Sequence, residues 1–115
     1  MNFTGMLKEG SLQDKVILVT GGGTGLGKSM GKYFMELGAN LIITSRKQDV
    51  LDKTAKEFLD YSGEILSIAG DVRNAKEVQQ IIQTSLDKFG KIDVLVNNAA
   101  GNFHQSNGTP HYKSI

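Results

Sequence analysis

The sequence predicts an α/β fold, a doubly wound parallel sheet in which strands and helices alternate, and three observations predict it. Four short aliphatic runs alternate with three segments of helical periodicity, the pattern of strands buried on both faces and joined by crossover helices. The first of those runs leads directly into Thr20-Gly21-Gly22-Gly23-Thr24-Gly25-Leu26-Gly27 and then into a helical stretch. A length of 115 residues without an internal repeat gives one domain over 1–115. Right-handed crossovers then set the strand order at 3-2-1-4, with ligands expected beyond the carboxyl ends of the strands.

The first strand is expected over 15–20, where Val16-Ile17-Leu18-Val19 is an unbroken aliphatic run. A helix over about 25–37 follows, with Leu26, Met30, Tyr33, Phe34 and Leu37 on one face and Gly38 just past its end. The second strand spans 40–45. The second helix, about 48–60, turns Leu51, Ala55 and Phe58 to the sheet. The third strand spans 64–69. The third helix, about 75–89, presents Val78, Ile81, Ile82, Ser85, Leu86 and Phe89; Asn74, three residues before Glu77, is placed as in a capping box, and Gly90 closes the helix. The fourth strand spans 92–97.

Beyond Gly101 the composition turns polar, and 102–115 is expected to be an irregular tail. That leaves the apolar fourth strand at the edge of the sheet, where a cover is needed. The first expectation is that the chain is the N-terminal part of a longer protein; the second is that it assembles through that edge.

Thirteen basic and twelve acidic residues leave a net charge of +1, too weak a field to attract nucleic acid or an anionic membrane surface. Cysteine is absent, so disulfides and thiolate metal sites are excluded. His104 and His111 have no second ligand at useful spacing, and no metal is expected. No apolar run reaches the roughly 18 residues of a membrane helix, and 1–10 reads as neither a signal nor a transit peptide. The expectation is a cytoplasmic protein without membrane or nucleic-acid partners.

Chemistry concentrates in the glycine turn. Gly21 permits a sharp exit from the strand, Gly25 lets backbone approach a pyrophosphate, and Gly27 lets the helix pack closely on the sheet; Gly22, Gly23 and Thr24 complete the wall. The unpaired N–H groups of the helix N-terminus then face phosphate. After the second strand comes Ser45-Arg46-Lys47, where an NAD-specific protein places a carboxylate on the ribose hydroxyls. A guanidinium there can instead take an added 2′-phosphate; the alternative is a solvated basic helix start. Asp71 reads equally as a ligand contact or as a turn residue bonding neighbouring N–H groups. Asn97 and Asn98 can donate and accept, which suits tying neighbouring strand ends together.

Thr20-Gly21 with Gly25 and Gly27, Asp71-Val72 after the third strand, and Asn97-Asn98-Ala99-Ala100-Gly101 after the fourth together resemble the short-chain dehydrogenase/reductase family. The likeness covers roughly 12–103, the N-terminal half of a family member. GGGTGLGKSM, TSRKQDVL, DVR and NNAAGNF further resemble its 2,4-dienoyl-CoA reductase branch, whereas 107–111 departs from it. The resemblance implies a Rossmann-type sheet that binds NADP through Gly21, Gly22, Gly23, Thr24, Gly25, Leu26, Gly27, Ser45, Arg46, Asp71, Val72, Asn98, Ala99 and Gly101. In that scheme Arg46 takes the 2′-phosphate, for which NADPH is expected over NADH, Asp71 accepts the adenine amino group and Val72 packs on the ring. It also implies an acyl-CoA substrate touched by Arg46, Arg73 and Phe103, reduction of unsaturated fatty acyl-CoA in β-oxidation, and a homo-oligomer.

The family's proton chemistry needs a Tyr-x-x-x-Lys helix. Tyr33 and Tyr61 have Leu37 and Ile65 at the fourth position, and Tyr112 has no partner before Ile115. No catalytic residue is therefore assigned, and NADPH binding without turnover is expected. The alternatives are a stand-alone nucleotide-binding module, or a ketoacyl or sugar reductase of the same family.

Overall fold

A computed structural model describes residues 10–98 and 113–114. In chain order it contains β1 (Val16–Thr20), α1 (Gly25–Glu36), β2 (Asn40–Ser45), α2 (Gln48–Glu57), β3 (Ile65–Ala69), α3 (Ala75–Phe89), β4 (Val94–Asn97) and a two-residue β5 (Lys113–Ser114). The sheet is parallel throughout and ordered β3-β2-β1-β4-β5. The expected order 3-2-1-4 is thus present, but the expectation that β4 forms the outer edge is corrected. Val94 and Leu95 pair with Lys113 and Ser114, two residues of the stretch expected to be irregular. Main-chain pairing makes this strand, which has no apolar alternation of its own.

Side-chain alternation along β1 divides the core into two layers. Val16 and Leu18 join Ile42, Leu95 and the α3 residues Val78, Ile81 and Ile82 on one face. Ile17 and Val19 join Leu41, Ile43, Phe34, Met35, Leu51 and Phe58 on the other, beneath α1 and α2. All five residues of β1 are buried, as a central strand covered on both faces requires. β3 is the exception to the expectation of fully buried strands: with β2 as its one neighbour it is half-buried along most of its length.

The helix ends follow local chemistry. α1 stops one residue before the expected end; Leu37 is its C-cap, and Gly38 continues at φ +99°, a conformation suited to glycine. α2 stops at Glu57, three residues short of the expected end, with Phe58 as its C-cap and still buried. α3 has the expected bounds. The Asn74 side chain accepts the N–H groups of Lys76 and Glu77 at 2.9 and 3.2 Å, and Gly90 caps the other end at φ +78°. The second half of the capping box differs: Glu77 accepts the Asp71 N–H at 3.2 Å, while the Asn74 N–H donates to the Asp71 carbonyl. Leu26, expected on the sheet-facing side of α1, is 63% exposed. In the first turn of α1 it is Gly27, through its backbone, that packs against the rest of the protein, at the Gly21 carbonyl.

Polar side chains pin the register at the amino ends of the strands. The Asp93 carboxylate accepts the Val16 N–H at 2.8 Å, and the Asp93 N–H returns a bond to the Val16 carbonyl at 2.8 Å. Likewise the Asn40 side chain accepts the Glu64 N–H at 2.9 Å. With the amino ends fastened, the carboxyl ends of β1, β2 and β4 align, which brings the glycine turn, Ser45 and Asn97 to one side of the sheet.

Candidate functional site

The turn between β1 and α1 has the shape its sequence demands. Gly21 leaves the strand at φ +68° and Gly25 enters the helix at φ +58°, both in the left-handed region that disfavours a side chain. A Cβ on Gly25 would meet no atom within 4 Å, so its open side faces the solvent. Gly27 is constrained differently: a Cβ there would collide with the Gly21 carbonyl oxygen and lie 2.7 Å from the Asn98 Nδ2. Helix and turn are therefore in direct backbone contact. Thr24, the N-cap residue of α1, makes no side-chain cap bond, and the first turn has no acidic residue. In contrast with α3, the leading N–H groups of α1 have no side-chain acceptor supplied by the cap.

A cleft of about 710 Å³ opens beside this turn, lined by Gly21, Gly23, Thr24, Ser45, Arg46, Lys47 and Val50. It brings the glycine turn together with the expected basic segment, and among the described residues none that lines it is acidic. Two adjacent cations and the uncapped start of α1 beside one cleft suit a polyanion. The Ser45 hydroxyl accepts the Lys47 N–H at 3.2 Å, which tightens the bend carrying Arg46. The first turn of α2 completes the wall: a Cβ on Gly23 would lie 2.9 Å from Val50 Cγ1 and 3.6 Å from Leu51 Cδ2. Thr54, unremarked in the sequence, is 1% exposed and donates its hydroxyl to the Gly23 carbonyl at 2.8 Å.

Asp71 and Arg73 engage each other. Arg73 gives its Nε and Nη2 to the two Asp71 carboxylate oxygens at 3.0 Å each, and its backbone N–H to Oδ1 at 2.9 Å. The Arg73 guanidinium, its backbone N–H and, more distantly, Arg46 hold the Asp71 carboxyl down at about 2. This is the turn role open to Asp71 from residue chemistry, and it occupies both residues expected to touch ligands. Val72, beside them, is buried in the α3 layer.

At the carboxyl ends of β1 and β4, Thr20 is the connector. Its hydroxyl accepts the Asn98 N–H at 2.9 Å and donates to the Asn97 side chain at 3.1 Å. The Asn98 side-chain amide donates to the Gly21 carbonyl at 3.4 Å. The two asparagines thus tie the strand ends together, as their chemistry suggested. Ala99, Gly101 and Phe103, the remaining expected contacts, lie outside the described residues. Among the described residues no cluster of three or more metal-ligating side chains occurs, and no helix is long and apolar enough to cross a membrane.

The profile described as short chain dehydrogenase matches residues 15–113. A probable 2,4-dienoyl-CoA reductase of Bacillus subtilis (strain 168) is 37% identical over 92 residues, covering 80% of this chain and 36% of that protein. The peroxisomal 2,4-dienoyl-CoA reductase of Rattus norvegicus is 41% identical over 93 residues, with 80% and 32% covered. Among solved structures, 3-ketoacyl-(acyl-carrier-protein) reductase from Brucella melitensis, complexed with NADH, superposes with a TM-score of 0.70 at 37% identity, covering 75% of this chain and 34% of that one. The chain spans about a third of the length of the curated relatives it matches.

Proposed function

Because this chain belongs to the short-chain dehydrogenase family and is similar to its 2,4-dienoyl-CoA reductases, we propose that it is the cofactor-binding part of an NADPH-dependent reductase of unsaturated fatty acyl-CoA. One observation carries the cofactor reading: the open glycine turn and Arg46 line a single cleft whose described lining residues include no carboxylate. The fit is chemical as well as spatial. The leading N–H groups of α1 suit a pyrophosphate. Arg46, exposed at the end of β2, suits a phosphate on the ribose 2′-oxygen, where a charge-assisted pair contributes about 1.5–3 kcal/mol. A bound nicotinamide cofactor supplies the hydride; this chain's residues hold and orient it. Thr20, Asn97 and Asn98 keep the β1 and β4 ends in register beside the helix start.

Titration of the chain with NADPH and NADH by fluorescence tests the reading. NADPH is expected to bind more tightly, and Arg46→Ala to weaken it by about ten- to a hundredfold while leaving NADH within about threefold. Equal affinity of the unmodified chain for the two cofactors would refute it. The substrate side rests on the similarity to dienoyl-CoA reductases, with Arg46, Arg73 and Phe103 as the proposed contacts. Arg73 gives Nε and Nη2 to Asp71, which leaves its Nη1 donors for an acyl-CoA phosphate. The chain has no Tyr-x-x-x-Lys, so NADPH binding without oxidation is expected when a dienoyl-CoA is added; turnover would show that another proton donor operates. A homo-oligomer and a cytoplasmic location complete the proposal. The rat relative's peroxisomal name opposes the latter, and imaging of the tagged protein decides.

A further inference from the structure

We propose that Thr54, a buried side chain on α2 that does not line the cleft, is a positioning residue for the cleft's anion-binding wall. The inference rests on the dinucleotide reading above and extends it to a residue in the helix interior. Thr54 is 1% exposed and donates to the Gly23 carbonyl at 2.8 Å. A peptide unit is planar, and in its trans form the N–H points opposite to the preceding carbonyl. Holding the Gly23 carbonyl inward against α2 therefore turns the Thr24 N–H outward. Gly23 and Thr24 line the same cleft as Arg46 and Lys47, so an outward Thr24 N–H adds a backbone donor beside the two cations.

The same helix fixes both walls. Lys47 is the N-cap of α2, the Gly23 backbone rests on Val50 and Leu51, and Thr54 lies one turn further on. A hydroxyl at 54 thus sets the spacing between the glycine turn and the basic segment. Without it the Gly23 carbonyl is buried with no partner, and the peptide is expected to rotate toward solvent, taking the N–H out of the cleft.

Three forms decide the matter: the unmodified chain, Thr54→Val and Thr54→Ser. Calorimetric titration with NADPH is expected to show about tenfold weaker binding for Thr54→Val, the loss of one hydrogen bond, and affinity within about twofold of the unmodified chain for Thr54→Ser. Thr54→Val with a lowered melting temperature but unchanged affinity overturns the proposal, because a merely structural hydroxyl behaves that way; so does an equal loss in Thr54→Ser. A second readout needs no variant. In the ¹⁵N–¹H spectrum of the unmodified chain, the Thr24 amide is expected to move on addition of inorganic pyrophosphate or NADPH, and a Thr24 amide that stays silent while NADPH binds also overturns it. Failure of NADPH to bind the unmodified chain at all would instead overturn the cofactor reading on which this rests.

Discussion

Replacing Gly27 by alanine sets two effects against each other, and the structure decides between them. Alanine is the better helix former by up to about 1 kcal/mol, and Gly27 lies in the first turn of α1. The added methyl, however, would strike the Gly21 carbonyl and sit 2.7 Å from the Asn98 Nδ2. Asn98 is exposed and can swing aside. Gly21 cannot, since its N–H is fastened to the Thr44 carbonyl at 2.8 Å. Relief then requires α1 to move off the turn, an overpacking cost of about 2–3 kcal/mol, the upper part of the usual range because the obstacle is main chain. The net loss is about 1–2 kcal/mol, which at a urea slope near 2 kcal/mol/M lowers the unfolding midpoint by about 0.5–1 M. The control is Gly25→Ala, whose methyl meets nothing within 4 Å and whose cost is confined to the left-handed backbone, about 1–2 kcal/mol. An unfolding midpoint for Gly27→Ala equal to or above that of the unmodified chain would refute the reasoning, since propensity alone would then govern the site.

Other substitutions probe the frame around the cleft. Asn74→Ala removes the acceptor of two N–H groups at the start of α3 and should cost about 1 kcal/mol in urea unfolding, most of it recovered in Asn74→Ser. Asp93→Ala leaves the Val16 N–H without its side-chain acceptor and should cost about 1–3 kcal/mol at neutral pH. Burial pushes the Asp93 carboxyl upward, but the Val16 N–H and the Lys91 ammonium outweigh it and hold the group below its ordinary 3.8. Its contribution is therefore full above that value and is lost as pH falls through the lower folded one, so unfolding curves of Asp93→Ala and the unmodified chain should converge on acidification. A gap that widens toward low pH would contradict this.

Much of the frame was legible because burial and backbone pairing agree in its centre. β2 and α3 have the expected bounds, since an aliphatic run between turn residues and an amphipathic run between Asn74 and Gly90 leave little choice. Leu37 and Phe58 show where periodicity misleads: both are buried, yet each is a C-cap and no longer helical. Leu26 shows the converse, a residue on the apolar spacing of α1 that is exposed, while its neighbour Gly27 makes the close contact through its backbone. β5 was illegible, being two polar residues with no apolar alternation to mark a strand. Of the site, the glycine turn and Arg46 were readable from local order, whereas the Asp71–Arg73 pairing depends on how the turn closes. Thr54 had a signal that went unused: it falls three residues after Leu51 and four before Phe58, on the stripe that packs against the sheet, where a hydroxyl must find a buried acceptor.

The placement of β1 between β2 and β4 has a consequence for biosynthesis. Val16 gains its first lateral neighbour at Asn40, but the Asp93 carboxylate that takes its N–H is 77 residues away in sequence. During translation the oldest strand must wait beside an empty lane until the fourth emerges, with Ile17 and Val19 on a naked border. Such distant closure slows folding and leaves a sticky nascent intermediate, so a ribosome arrested before Val94 should hold a chain that chaperones recognise, and one arrested well beyond Asn97 should not.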